Sequence, residues 1–281
     1  MISKAQDARV LPLRRLRGRT RRGRSALLDA ALLSRERELI ARCDGPFADA
    51  LFVDVGVGEF PWTTLESAAA FRALNPSLRC IGCELDPLRL ARARHWQSDG
   101  VEFSPMADAG FGLPPLPAAA RLVRAMNVLR GYPEDAVPHA HAALAAPLCA
   151  GGLLLEGTSS GDGAVVCCHW IRKQPDGARR EALLFATDFS LGFGPLLFRD
   201  WLPRDLRRQV RPGVAIGEFL FAWRAAFEAR RAQGERSPVQ LFVSSAERLA
   251  QQIPGIVLDP ALLTRGCLLW QVPGDVVRPA V

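Results

Sequence analysis

Val53-Asp54-Val55-Gly56-Val57-Gly58-Glu59-Phe60-Pro61 is the stretch on which the fold turns. A short apolar run, Ala50 to Val55, leads into it and suits a buried strand. Two glycines directly after such a strand let the backbone turn tightly and come close to a ligand. Pro61 suits a first helical turn, where its missing N–H has no partner to lose, and a helix is predicted over 61–74. Strand, glycine turn and helix in that order put a helix N-terminus beside the turn, a place suited to polar or anionic ligands. A dinucleotide-binding GxGxxG turn would need glycine where Pro61 stands, so that fingerprint is lost.

Working outward, short apolar runs alternate with helical stretches, the pattern of strand-helix-strand units around a parallel sheet. After the first strand and its helix, a second strand is predicted at 79–84 with a helix over 87–97. A third strand, 101–103, leads to Asp108, and a fourth, 122–127, is followed by a helix over 134–148. A fifth strand covers 152–156. Upstream, a helix is predicted over 25–43, stopped by Asp44-Gly45-Pro46. Near the end, 245–252 reads as helix and 255–258 and 266–271 as strands. The region between reads as an insertion: a hairpin over 164–189 about Asp176-Gly177, then helices over 198–210 and 214–232. The expected fold is α/β, a doubly wound, mostly parallel seven-stranded sheet with a mixed hairpin and helical insertion. The corresponding division is a basic arm, 1–24, read as disordered; a helix and cofactor-binding half, 25–158; a cap or substrate region, 159–238; and the closing helix and strands, 239–281.

The glycine turn resembles the acidic-x-Gly-x-Gly motif of class I S-adenosylmethionine-dependent methyltransferases, with Asp54, Gly56 and Gly58 in the motif positions and Val57 between the glycines. The resemblance covers about 50–158 and extends to 245–272. It implies S-adenosyl-L-methionine as cofactor, with Asp54 near the methionine amino group and the glycines making room for the ligand. Ile81-Gly82-Cys83-Glu84-Leu85-Asp86 closes the second strand on an acid, and the resemblance gives Glu84, next to Leu85, the ribose hydroxyls. It gives Asp108 the adenine amino group and Asn127 the methionine portion. Phe60 departs from the pattern, standing where the family has a third glycine. The Asn/Asp-Pro-Pro-aromatic signature of base-amine methyltransferases is absent after the fourth strand, where Asn127-Val128-Leu129-Arg130 stands. There is some likeness to bacterial tRNA guanine-N7 methyltransferases in the basic start and in Asn75 to Glu84, without that family's later signatures.

The formal charge of +7 is concentrated at one end. Residues 1–24 carry nine basic side chains and one acid, Asp7, whereas 25–281 hold 27 basic and 28 acidic groups. Such an arm suits phosphate contacts with RNA, a solvated tail or an Arg-rich targeting segment. No run approaches the roughly 20 apolar residues that cross a bilayer, and no membrane association is expected. The seven cysteines are odd in number and scattered, which reads as reduced thiols in a cytoplasmic protein. Cys80 and Cys83 fall three apart on a strand and face opposite ways, His139 and His141 lie on different faces of a helix, and no metal site is expected.

The expected activity is methyl transfer by in-line displacement to an acceptor that is a small molecule or RNA. The alternative is a non-catalytic methyltransferase-like protein that uses the arm to bind an RNA or protein partner. No catalytic residue is assigned. Tyr132, Glu156, His169 and Asp188 are the substrate-side candidates, each with a plain packing or capping role as its rival.

Overall fold

The structure, a computed structural model, describes residues 20–108 and 110–271 and the backbone of Val276–Val277. Parallel pairing orders the first five strands, β1 (Leu51–Val55), β2 (Cys80–Glu84), β3 (Val101–Pro105), β4 (Ala120–Met126) and β5 (Leu148–Ser159), as β3-β2-β1-β4-β5. β1 is buried throughout, as an interior parallel strand covered on both faces must be. The order reverses between β1 and β4, which puts a crevice at the carboxyl ends of these two strands.

Beyond β5 the sheet turns antiparallel. β6 (Val165–Gln174) pairs with β5, β7 (Gly177–Thr187) with β6, β9 (Cys267–Trp270) with β7, and β8 (Ile256–Val257) with β9, while β10 (Val276–Val277) also meets β7. The doubly wound α/β class is present, with ten strands among the described residues in place of seven. Two of the three additional strands are the hairpin, expected to stand off the sheet as part of a cap and built into it instead; the third is β10. β5 runs on to Ser159, and five residues connect it to β6, a length that favours an antiparallel neighbour.

One face of the sheet is covered by α1 (Ala26–Arg35), α3 (Trp62–Arg72), α4 (Pro87–Arg94) and the short α8 (Pro260–Leu263), which share a core with Phe52, Leu155, Cys168 and Trp170. A short α2 (Arg37–Ala41) follows α1, so the single helix expected over 25–43 is two, broken at Glu36. That carboxylate accepts from Arg172 Nη2 at 2.5 Å and Trp170 Nε1 at 3.2 Å. On the other face α5 (Val137–Ala145) packs on the parallel half. α6 (Ala215–Ala232) and α7 (Pro238–Ala250) pack on the antiparallel half. Apart from the exposed Phe221, their aromatics are core: Trp223 stacks on Phe198 at 5.4 Å, Phe219 on Phe185 at 4.8 Å, and Trp223 Nε1 donates to Ser245 Oγ at 3.0 Å. Residues 198–210 do not form the expected helix. A 3-10 turn, Pro195–Trp201, stops before Pro203, which excludes helical geometry from the residue ahead of it.

Two arginines stand in the interior of β4. Arg121 donates to the carbonyls of Ala50, Leu39, Ile40, Arg42 and Phe47, supplying the end of α2 and the following loop with the donors they lack. Arg124, three residues on, faces the site.

Candidate functional site

The site lies at the carboxyl ends of β1 and β4. Gly56 and Gly58 both have positive φ, 79° and 84°. A Cβ on Gly56 would sit 2.8 Å from the Val128 side chain, and one on Gly58 would strike Thr20 Oγ1. Both positions therefore demand glycine for conformation and for space. Asn127 leaves β4 with φ of 63°, a conformation that Asn tolerates better than most residues. It is held in that geometry by Ser159: Asn127 Nδ2 donates to Ser159 Oγ and Ser159 N donates to Asn127 Oδ1, both at 3.0 Å.

Asp54, Val55, Gly56, Val57, Asn127 and Ser159 line one cavity. Its enclosed space is about 50 Å³, against roughly 300–1,000 Å³ for pockets that hold a small molecule. The cavity is narrowed by residues 20–24, counted with the arm in the sequence but packed here over the glycine turn. Thr20 Oγ1 donates to Val57 O at 3.3 Å, and Gly23 N to Glu66 Oε2 at 2.7 Å. Arg24 Nε donates to Ser160 O at 3.0 Å and Ser159 Oγ at 3.2 Å, putting a guanidinium at the cavity wall. The glycine turn, α3 and the end of β5 with the loop after it thus give this strap its hydrogen bonds. Residues 1–19, the rest of the basic arm, lie outside the described residues.

Beneath the cavity is a buried ion network that the sequence reading missed. Arg124, its side chain 2% exposed, grips Asp54 with Nε and Nη2, both at 2.8 Å, and Nη1 reaches Asp29 Oδ1 at 3.0 Å. Thr64 Oγ1 donates to Asp54 Oδ2 at 2.6 Å, and Ser67 Oγ to Asp29 Oδ2 at 2.6 Å. Burial works against the Arg124 charge, but the two acids hold its pKa above the ordinary value. Burial, against the pull of Arg124, pushes the Asp29 carboxyl up to about 6. Two acids share one cation, so the network carries an excess negative charge when both are ionised. Three of the roughly four acceptor positions of the Asp54 carboxylate are filled, which leaves capacity for one more donor.

Glu84 is buried at the end of β2. Its Oε2 accepts from Gly58 N at 2.7 Å, and its Oε1 from Leu85 N at 2.9 Å and Asp86 N at 3.0 Å. This carboxylate ties the glycine turn to the turn after β2. Asp108 folds back on its own loop, with Oδ1 accepting from Gly110 N at 2.7 Å and Gly112 N at 3.2 Å. It does not line the cavity.

The substrate-side candidates divide. Tyr132 packs on Phe111 at 4.7 Å and its carbonyl accepts from Arg204 Nε at 2.6 Å. Asp188 accepts from Ser190 N at 2.9 Å and caps a turn. Glu156 and His169 do not reach the cavity. They meet His141 of α5 on the opposite face of the sheet, where His141 Nε2 and Glu156 Oε2 lie 3.0 Å apart and His169 Nε2 lies 2.8 Å from Asp205 Oδ1. Burial lowers the His169 pKa, with Asp205 opposing. Against the upward push of its own burial, His169 and Arg180 hold Asp205 well below the usual carboxylate range.

Cys80 and Cys83 belong to hydrophobic clusters on opposite faces of the sheet. Among the described residues no helix is long and apolar enough to cross a membrane.

No family model matches the chain, and no curated protein matches it. Among solved structures the chain is similar over part of its length to the O-methyltransferase NcsB1 from neocarzinostatin biosynthesis, solved with S-adenosyl-L-homocysteine and 1,4-dihydroxy-2-naphthoic acid. Identity is 19%, over 48% of this chain and 39% of that one, with a TM-score of 0.31. Human N-acetylserotonin methyltransferase in complex with SAM matches at 18% identity over 46% of this chain and 35% of that one, TM-score 0.31. The pyocyanin biosynthetic protein PhzM matches at 16% identity over 48% and 37%, TM-score 0.34. The chain thus spans well under half the length of each. At this level the similarity carries no statement about activity, which has to be argued from the residues of the site.

Proposed function

We propose that the chain binds S-adenosyl-L-methionine at the glycine turn and transfers its methyl group to an acceptor by in-line displacement. The observation that carries this reading is the charge pattern of the cavity. Asp54, in a network one cation short of neutral, lies at its base, and the Arg24 guanidinium lies in its wall. A carboxylate and a guanidinium in one cavity complement a zwitterionic amino acid, with Asp54 taking the ammonium and Arg24 the carboxylate. Glu84, outside the cavity lining, has one acceptor position left for a ribose hydroxyl, and Leu85, Val57 and Asn127 would border the nucleoside and methionine portions. When bound, the cofactor supplies the electrophilic methyl group; the chain has to hold it, orient the acceptor and exclude water. Thr20 would have to leave Val57 for the ligand to enter, since a Cβ at Gly58 already meets it.

The acceptor is a small molecule or RNA. RNA is supported by Arg22, whose guanidinium lies 4.0 Å over the Trp62 ring in a cluster with Phe60 and Trp96. Such aromatic and basic groupings stack bases. A second reading, a non-catalytic chain that keeps the fold, is favoured by the small cavity and by Thr20 on the glycine turn.

Titration calorimetry of the full chain with S-adenosylmethionine and S-adenosylhomocysteine separates the two. The proposal expects binding of both, weakened by Arg24→Ala by about 1.5–3 kcal/mol, the worth of a hydrogen bond to a charged group. Amide exchange should show residues 20–22 released on binding while Arg24 keeps its protection. No binding of either ligand would sink the proposal in favour of the non-catalytic reading.

A further inference from the structure

On the face of the sheet opposite the Asp54 cavity, residues far apart in the chain meet. Glu156 of β5 stands directly across from His169 of β6 in the antiparallel register. His141 comes down from α5, its ring 5.2 Å from that of His169. One ligand-type atom from each of the three lies within 4.8 Å of the others, and all three residues are buried. Cys168 is excluded from the group, because alternation along β6 turns it to the other face.

Hydrogen-bond accounting for His169 leaves a remainder. The Asp205 carboxylate is fixed by Arg180 at 2.9 Å and lies 2.8 Å from His169 Nε2. A carboxylate only accepts, so Nε2 carries the proton and a neutral ring presents a bare lone pair at Nδ1. That nitrogen is buried without a hydrogen-bond partner among the described residues. A desolvated acceptor facing no donor is uncommon in a folded chain. It is, however, the arrangement of a metal-ligating imidazole, whose far N–H is held by a carboxylate that orients the ring.

We propose that His141, Glu156 and His169 form a binding site for a divalent metal ion of the zinc class. Two imidazoles and one carboxylate suit such a borderline ion and not magnesium or calcium, which take oxygen ligands. Metal–nitrogen bonds of about 2.0–2.1 Å would draw the three atoms to roughly 3.4 Å apart, a contraction that side-chain adjustment supplies. The His141–Glu156 pair already stands at 3.0 Å. The ion would tie α5 of the parallel half to β6 of the antiparallel half, and through Asp205 to the segment after the 3-10 turn. Asp205 is a positioning residue, acting through His169. The site is independent of the methyl-transfer reading, since it lies across the sheet from the cavity.

The test uses the full chain with Cys43→Ser, which removes the exposed thiol as a rival ligand. After chelator treatment and reconstitution with zinc chloride, metal analysis should find a single zinc ion per chain, and zinc should raise the melting temperature. Cobalt substitution should give the visible absorption of a low-symmetry nitrogen and oxygen site, which reads the ligands without any site mutation. His169→Asn should abolish binding, and Asp205→Asn should weaken it roughly 10–100-fold. A wild-type chain that takes up neither zinc nor cobalt overturns the proposal, and so does binding that His169→Asn leaves unchanged.

Discussion

Replacing Arg124 with Met keeps an unbranched apolar stem and removes the charged guanidinium. The structure says what is left behind: Asp54 loses two contacts at 2.8 Å and Asp29 one at 3.0 Å, with all three side chains buried. Breaking a buried pair by removing one partner costs about 3–5 kcal/mol, because the surviving charges keep their desolvation penalty without compensation. With an unfolding entropy of about 2.1 cal/mol/K per residue, over the roughly 250 described residues, the melting temperature should fall by roughly 6–10 °C. Calorimetry at pH 7.5 measures this directly. The triple variant Asp29→Asn, Arg124→Met, Asp54→Asn should recover most of the loss, since it removes the uncompensated acids together with the cation. A single variant that loses less than about 1 kcal/mol would refute the reasoning, because that is the worth of an exposed pair. So would a triple variant no more stable than the single one.

The Asp29 carboxyl, raised to about 6 by burial, favours its protonated form in the folded state. Its contribution is complete below about pH 4, where the unfolded chain is protonated too, and is lost as pH rises through 6; the span is on the order of 3 kcal/mol. Asp29→Asn should flatten this part of the curve of stability against pH, and an unchanged curve would place the titration elsewhere. Arg121→Met should cost about 3 kcal/mol or more, since several buried carbonyls lose their donor at once. Amide exchange should then quicken across 36–50, and unchanged protection there would show that the carbonyls find other partners.

The parallel half was legible because its signals are local. An apolar run, a glycine turn and a proline at the start of a helix all fall within 50–61, and each constrains the backbone by itself. Where the hairpin would dock was a different kind of question. Asp176-Gly177 marks the turn between β6 and β7 at one end, but the partner of β6 depends on how far β5 continues. Gly157-Thr158-Ser159 reads as the end of a strand by composition, yet these residues pair with Cys168, Cys167 and Val166. Once β5 extends that far, the short connection makes β6 its neighbour and pushes β9 and β8 to the outside. The helix expected at 198–210 failed on one residue, Pro203, whose effect on the position before it outweighs an apolar periodicity.

The site was legible where the backbone makes it and obscure where buried charge makes it. Asp54, Gly56, Val57 and Asn127 stand at strand ends in the sequence and the structure gathers all four around one cavity, whereas Gly58, Glu84, Leu85 and Asp108 are not among its lining residues. Arg124 was passed over, although Arg121-Leu122-Val123-Arg124-Ala125-Met126 puts two charges into a strand that has to be interior, since the order reverses beside it. A buried guanidinium requires either a set of unpaired carbonyls, as Arg121 has, or a buried acid. Asp29, set among Leu28, Ala31 and Leu32 on the apolar side of α1, is the acid that the same rule would have sought. Taken together, the two misplaced charges identify each other without any distance: a cation inside a strand and an acid inside a helix stripe are each too costly alone, and they become affordable only if α1 packs on the face of β4 that Arg124 presents. That packing also carries Thr20 and Arg24, just ahead of α1, across the end of β1, so the charge pair in the core determines which segment closes the cavity above it.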